Sequence, residues 1–182
     1  MKKLFAIFIS LVVMASCTTT KEAKSSRAEL RKEKKAIDQA LVKNAVETKR
    51  YIIKFDRIFV TYGGMIQLIP RANYIIIDGE KAILNTVYLG RQYDIKPIAA
   101  IDVRGRASDY AVTDNLSKGS YEIKMKVKNS RSYTFDVYIK IGKNGNCTTT
   151  VSSLKTDVIT YDGYLVPIND NTNGSTQQGS PI

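Results

Sequence analysis

Two stretches of the chain alternate apolar and polar residues with a period of two. Tyr121, Ile123, Met125 and Val127 fall on one side, with Glu122, Lys124, Lys126 and Lys128 opposite. After a turn near Asn129-Ser130, Tyr133, Phe135, Val137 and Ile139 alternate in the same way with Thr134, Asp136, Tyr138 and Lys140. Successive side chains of a strand point to opposite faces, so this pattern predicts an antiparallel pair with one dry and one wet face. Ile123, Met125, Phe135, Val137 and Ile139 are the expected core.

The period is different upstream. Ser26-Arg27-Ala28-Glu29 has the spacing of a capping box, which satisfies two unpaired amides at a helix start. From there to about Arg50, Leu30, Ile37, Leu41 and Ala45 form a helical stripe, widened by Val42 and Val46. Lys49 and Arg50 suit the negative end of the helix dipole. From Tyr51 the period returns to two, with Ile53, Phe55 and Phe59 expected on one face. Gly63-Gly64 breaks the chain before Met65 to Ile69. Tyr74 to Ile77 then meets Asp78-Gly79, read as the centre of a type I′ hairpin, and the return strand runs from about Lys81 to Leu89. Gly142 to Gly145 turns the chain again into Cys147 to Ser153, and a last strand covers Val158 to Val166.

These elements predict a mainly β domain: an antiparallel meander of about eight to ten strands with one N-terminal amphipathic helix. Alternation leaves curved sheet, barrel and two-layer sandwich all open. Residues 26–168 form the expected single domain. Residues 169–182 are polar and expected to be disordered.

The first sixteen residues read as an address. Met1-Lys2-Lys3 is a short positive region, and Leu4 to Val13 is apolar apart from Ser10. That run falls below the roughly 20 residues that span a bilayer and matches a signal peptide. Met14-Ala15-Ser16-Cys17 is similar to a lipobox, with Cys17 as the acyl acceptor and residues 17–25 as a tether. The expectation is a lipoprotein held to the membrane by its N-terminal lipid. Lys21-Glu22-Ala23 supplies one acid where surface-export signals carry several, so an outer-membrane lipoprotein facing the periplasm is expected.

Charge and cysteine change the picture little. The chain carries a formal +11; without residues 1–16 it holds 26 basic and 17 acidic residues, or +9. A basic chain invites a nucleic-acid reading, yet an exported protein rarely meets nucleic acid, and none is expected as a partner. With Cys17 acylated, Cys147 is the one thiol left, so no internal disulfide forms. Cys147 reads as a small buried strand residue.

The pieces resemble domain-of-unknown-function family 4251, small lipoproteins of Bacteroidetes-type bacteria. The matching residues spread from about Ala28 to Val166. They include the charged helix, the Asp78-Gly79 hairpin, Tyr88-Leu89-Gly90-Arg91-Gln92-Tyr93, Ala107-Ser108-Asp109-Tyr110, Lys118-Gly119-Ser120-Tyr121 and Ile159-Thr160-Tyr161-Asp162-Gly163. Where such proteins usually carry a proline-aromatic pair before the Gly-Arg, this chain reads Val87-Tyr88-Leu89. The resemblance implies an envelope location and supplies no activity.

Candidate chemistry is sparse. The chain has no His, the commonest general base and transition-metal ligand, and no Trp. Gly63-Gly64 lacks the Lys-Ser/Thr and helix of a phosphate loop. No cofactor or metal is expected. Asp94, Asp102, Asp109 and Asp114 read as dispersed turn carboxylates, so a hydrolase built on them is the least favoured reading. The remaining candidate contact is Tyr88 to Tyr93: Gly90 permits close approach, Arg91 offers a forked donor, and Tyr88 and Tyr93 flank them. The expected function is a non-enzymatic module that contacts an envelope protein or polymer. The alternative is a barrel pocket holding a lipid or other small hydrophobic ligand.

Overall fold

The structure, a computed structural model, describes residues 19–60, 63–91, 100–115, 119–129 and 134–169. Cys17 and the signal segment lie outside the described residues, as do Tyr93 and Asp94. So does the expected tail, apart from Asn169. The chain divides into two units, residues 1–37 and 38–182.

Helix α1 spans Thr19–Thr48. It therefore begins inside the 17–25 stretch expected as a tether and ahead of the Ser26 capping box. No Gly or Pro interrupts residues 18–48, and Lys, Glu and Ala are strong helix formers, so nothing stops the helix at Ser26. The packed stripe is shorter than expected: Leu30, Ile37 and Leu41 are exposed, while Val42, Ala45 and Val46 are buried. Those three residues stand at i, i+3 and i+4, one face of the last two turns. At the helix end the Thr48 hydroxyl donates to the Asn44 carbonyl at 2.7 Å. Lys49 then turns the chain in the left-handed region, φ 54°.

In the second unit, β1 (Arg50–Val60) is followed by β2 (Gly64–Gln67), β3 (Tyr74–Asp78), β4 (Lys81–Val87) and β5 (Ala100–Asn115). Then come β6 (Ser120–Asn129), β7 (Thr134–Gly142), β8 (Asn146–Ser153) and β9 (Thr156–Pro167). All pairings are antiparallel. Strands β3 to β9 follow β1 in chain order, and β9 returns to pair with β1 from Tyr51↔Pro167 to Phe59↔Thr160. The meander therefore closes as an eight-stranded barrel, with β2 as a ninth strand. Closure removes the sheet edges that a flat meander would leave open.

β2 and β3 share one edge of β1. β2 pairs with Arg57 to Val60, and β3 with Arg50 to Lys54. They amount to one strand interrupted by residues 68–73, which contain Pro70, a residue unable to donate to a ladder. Asn73 fastens the excursion to β4: its side-chain oxygen accepts from Val87 N–H at 2.9 Å and from the Thr86 hydroxyl at 3.1 Å.

The alternation read from the sequence describes β6 and β7 correctly. Ile123, Met125, Phe135, Val137 and Ile139 are all buried in the barrel. β1 departs from it: Ile58 is fully buried and Phe59 is 38% exposed. A bulge between Phe55 and Arg57 sets two steps of β1 against one of β9, which flips every later side chain to the other face. The hairpin also differs by one residue. Asp78 pairs with Lys81, so the loop is Gly79-Glu80. Only its first residue has positive φ (Gly79, 61°), as in a type II′ turn rather than I′. Asp102, Asp109 and Asp114, expected around turns, all lie on the sixteen-residue β5. Ile101 and Val103 point into the barrel, which leaves Asp102 and Arg104 on the wet face.

Candidate functional site

The barrel interior is occupied by its own side chains. Tyr51, Ile53, Phe55, Ile58, Ile75, Ile77, Leu84, Ile123, Ile139, Ile141, Ile159 and Tyr161 are each at 0% exposure. A void large enough for water would leave its lining atoms some accessible surface, so none borders these residues. At one mouth, Val42, Ala45 and Val46 of α1 join the barrel core. The Tyr51 and Tyr110 hydroxyls meet there at 3.0 Å, and the Lys49 ammonium lies 4.7 Å from the Tyr110 ring centre.

The Tyr88 to Arg91 stretch sits at the end of β4. Tyr88 is buried, and its hydroxyl donates to the Arg91 carbonyl at 2.6 Å. That carbonyl also accepts from Asp157 N–H at 3.0 Å, tying the segment to the start of β9. Gly90 lies against the Tyr88 ring, where a side chain would displace it. Arg91 is exposed. Tyr88 and Gly90 are thus engaged in holding the segment, and Leu89 and Arg91 are its members at the surface.

Cys147 is buried, donates to the Gly145 carbonyl at 3.2 Å, and has its thiol pushed up to about 12, chiefly by burial. A thiol that resists ionisation is a poor nucleophile. Among the described residues no group of three or more His, Cys, Asp or Glu is placed to hold a metal ion.

Polar geometry concentrates instead on the outer wall. Outward residues of neighbouring strands form a cross-strand row: Glu122, Lys140, Thr148, Asp162 and Arg57. The Thr148 hydroxyl donates to one oxygen of Asp162 at 2.8 Å. The Arg57 guanidinium reaches the other oxygen at 3.5 Å and Asp56 at 3.3 Å. The Asp162 carboxylate is therefore fixed from both sides, across three strands including the β1–β9 seam. Beside it lies a groove of about 340 Å³, lined among others by Lys140, Asn146 and Tyr164. A second groove, of about 390 Å³, follows along β6 to β8, with Lys126, Tyr138 and Thr150 among its lining residues. Tyr138↔Thr150 and Lys140↔Thr148 are pairs two residues apart on β7 and β8, so the two grooves lie on the same wall.

Alternation in the sequence places Glu122 and Lys140 on the wet face, but Arg57 shares the parity of Ile53 and Phe55, and only the bulge after Phe55 turns it outward. Asp162 and Tyr164 alternate with buried Tyr161 and Leu165, which marks them as wall residues. Nothing local in the chain says that Arg57 will stand beside them, because that depends on barrel closure.

The model of a domain of unknown function, DUF4251, matches residues 33–165. The chain belongs to this family. The DUF4251 resemblance carried by the short motifs between Ala28 and Val166 is thus matched over most of the chain. A crystal structure of a DUF4251 family protein from Bacteroides eggerthii DSM 20697 is similar, with a TM-score of 0.61 and 12% identity. The likeness covers 72% of this chain and 89% of that one. At that identity it concerns the fold alone. No curated protein matches the chain.

Proposed function

We propose that this DUF4251 protein is a non-enzymatic interaction module of the cell envelope. It is held to the outer membrane by lipid on Cys17, faces the periplasm and contacts an envelope protein or polymer through the outside of its barrel. The observation that carries the reading is the filled interior. Among the described residues thirteen inward apolar side chains lie at 0% exposure, which leaves no ligand-sized void beside them, so recognition falls to the wall and the rims. The un-ionised Cys147 thiol supports the non-enzymatic part of the reading. Exposed Arg91 at one rim and the fixed Asp162 on the wall are the polar groups a partner would meet.

Anchoring is tested by Cys17→Ala in the full chain. The variant is expected in the soluble fraction, whereas the parent stays with membranes and carries lipid mass on its N-terminal peptide. A parent peptide without lipid, or a variant that remains membrane-bound, overturns the anchor. The interaction itself is tested by cross-linking in intact cells, with a defined protein or polymer adduct expected and its absence contradicting the reading.

A further inference from the structure

Three segments gather at the barrel mouth away from Val42, Ala45 and Val46: residues 68–73 after β2, 88–91 after β4, and 153–157 across the turn from β8 into β9. Hydrogen bonds hold them side by side. The Asn73 side chain donates to the Ile69 carbonyl at 3.0 Å and accepts from Val87 N–H, and the Arg91 carbonyl accepts from Asp157 N–H at 3.0 Å. Each segment lifts an aliphatic side chain into solvent: Ile69 is 71% exposed, Leu89 46% and Leu154 fully. Each also places an exposed cation one or two residues further on, Arg71, Arg91 and Lys155. Against these three cations the segments hold one acid, Asp157.

Exposed apolar side chains are not spread evenly over the barrel. Outside α1, nine large ones are exposed among the described residues, and all but Val112 and Tyr164 lie at or beside this mouth. Such a concentration marks a docking surface. Its composition narrows the occupant. A protein partner needs a contiguous apolar core whose shape it can match, whereas these tips stand on separate segments. A lipid surface adapts to each tip. Aliphatic side chains enter the acyl boundary, and neighbouring Lys and Arg keep their charge among the head groups. The excess of cations selects anionic head groups.

We propose that this mouth docks on an anionic phospholipid bilayer. Ile69, Leu89 and Leu154 insert, and Arg71, Arg91 and Lys155 meet the phosphates. The contact goes beyond the interaction-module reading and needs no lipid on Cys17.

The test uses the chain from residue 17 onward with Cys17→Ala, so that no lipid of its own reaches the bilayer. An environment-sensitive fluorophore is attached at Leu154→Cys and, separately, at Val112→Cys toward the other mouth. Cys147 is buried and labels slowly. Vesicles of phosphatidylglycerol and phosphatidylcholine in equal parts should shift the emission at position 154 to the blue and leave that at position 112 unchanged. Vesicles of phosphatidylcholine alone should bind far more weakly. Arg71→Glu should lower affinity for the mixed vesicles about fivefold or more. Ile69→Ser should lower it about tenfold or more. No shift at position 154, an equal shift at position 112, equal binding to phosphatidylcholine alone, or unchanged affinity in either variant overturns the inference. The wider reading fails separately. If position 154 stays in water on vesicles yet cross-links to a protein in cells, the mouth is a protein surface; the lipid inference falls and the module reading stands.

Discussion

The rings of Phe55 and Tyr161 stack at 4.8 Å between centres and 23° between planes, across the seam where the first and last barrel strands meet. Both residues are fully buried. The Tyr161 hydroxyl goes on to donate to the Val87 carbonyl at 2.9 Å, linking the seam to β4. Phe55→Ala removes the ring and leaves a cavity at the point of closure. It should cost about 3–5 kcal/mol of stability. Chemical denaturation of the variant checks this, and an unchanged midpoint would mean that the seam is not packed as described.

Gly163 faces Phe55 in the same seam, where a Cβ would run into the Lys54 carbonyl. The obstacle is backbone, which cannot swing aside as a flexible side chain can. Gly163→Ala should therefore destabilise the barrel by about 1–3 kcal/mol, the usual cost of overpacking. Thermal unfolding measures it, and a neutral substitution would place β1 and β9 farther apart than described.

Thr149 lies at 0% exposure inside the barrel, and its hydroxyl finds no partner among the described residues. Valine has nearly the same shape without the polar atom. Thr149→Val should raise stability by about 1 kcal/mol, because an unpaired buried hydroxyl carries its full desolvation cost. A lower melting temperature for this variant would reveal a partner for the hydroxyl in solution.

Burial raises the thiol of Cys147 from 9.0 to about 12 and pushes the Tyr51 and Tyr161 hydroxyls well above their ordinary 10.0. Each group is neutral when protonated, so the folded chain holds its proton more tightly than the unfolded one. The stabilisation is complete below the unfolded value and is lost as pH rises past it. Stability should thus decline from about pH 9 upward, by about 1.4 kcal/mol per pH unit for each group the unfolded chain has ionised. Urea midpoints between pH 8 and 11 check the slope. Cys147→Ala should make its early part shallower, and an identical slope would place the thiol in water.

The parts legible in the sequence were those that depend on one strand at a time. Alternation in β6 and β7 identifies Ile123, Met125, Phe135, Val137 and Ile139 as core because each strand keeps one wet face throughout. The same rule misplaced Phe59, since a single bulge near Asp56 inverts the parity beyond it. It passed over β5, where Gly105 and the Ser108-Asp109 pair imitate turn chemistry inside a strand that bulges between Ser108 and Ala111. The turn at Gly79-Glu80 was found but shifted by one residue, because Asp-Gly is a signal for a hairpin and not for its register. The candidate groove was out of reach. Arg57 and Asp162 become neighbours only on closure.

If the barrel is full, as its buried lining indicates, no hydrophobic molecule should travel inside it. Native mass spectrometry of the full chain, released gently from membranes and followed by organic extraction, tests it most directly. The expected mass is that of the polypeptide with its N-terminal lipid and no other stoichiometric hydrophobe. A hydrophobic molecule recovered at one per chain from the Cys17→Ala variant, which has no lipid of its own, would contradict it.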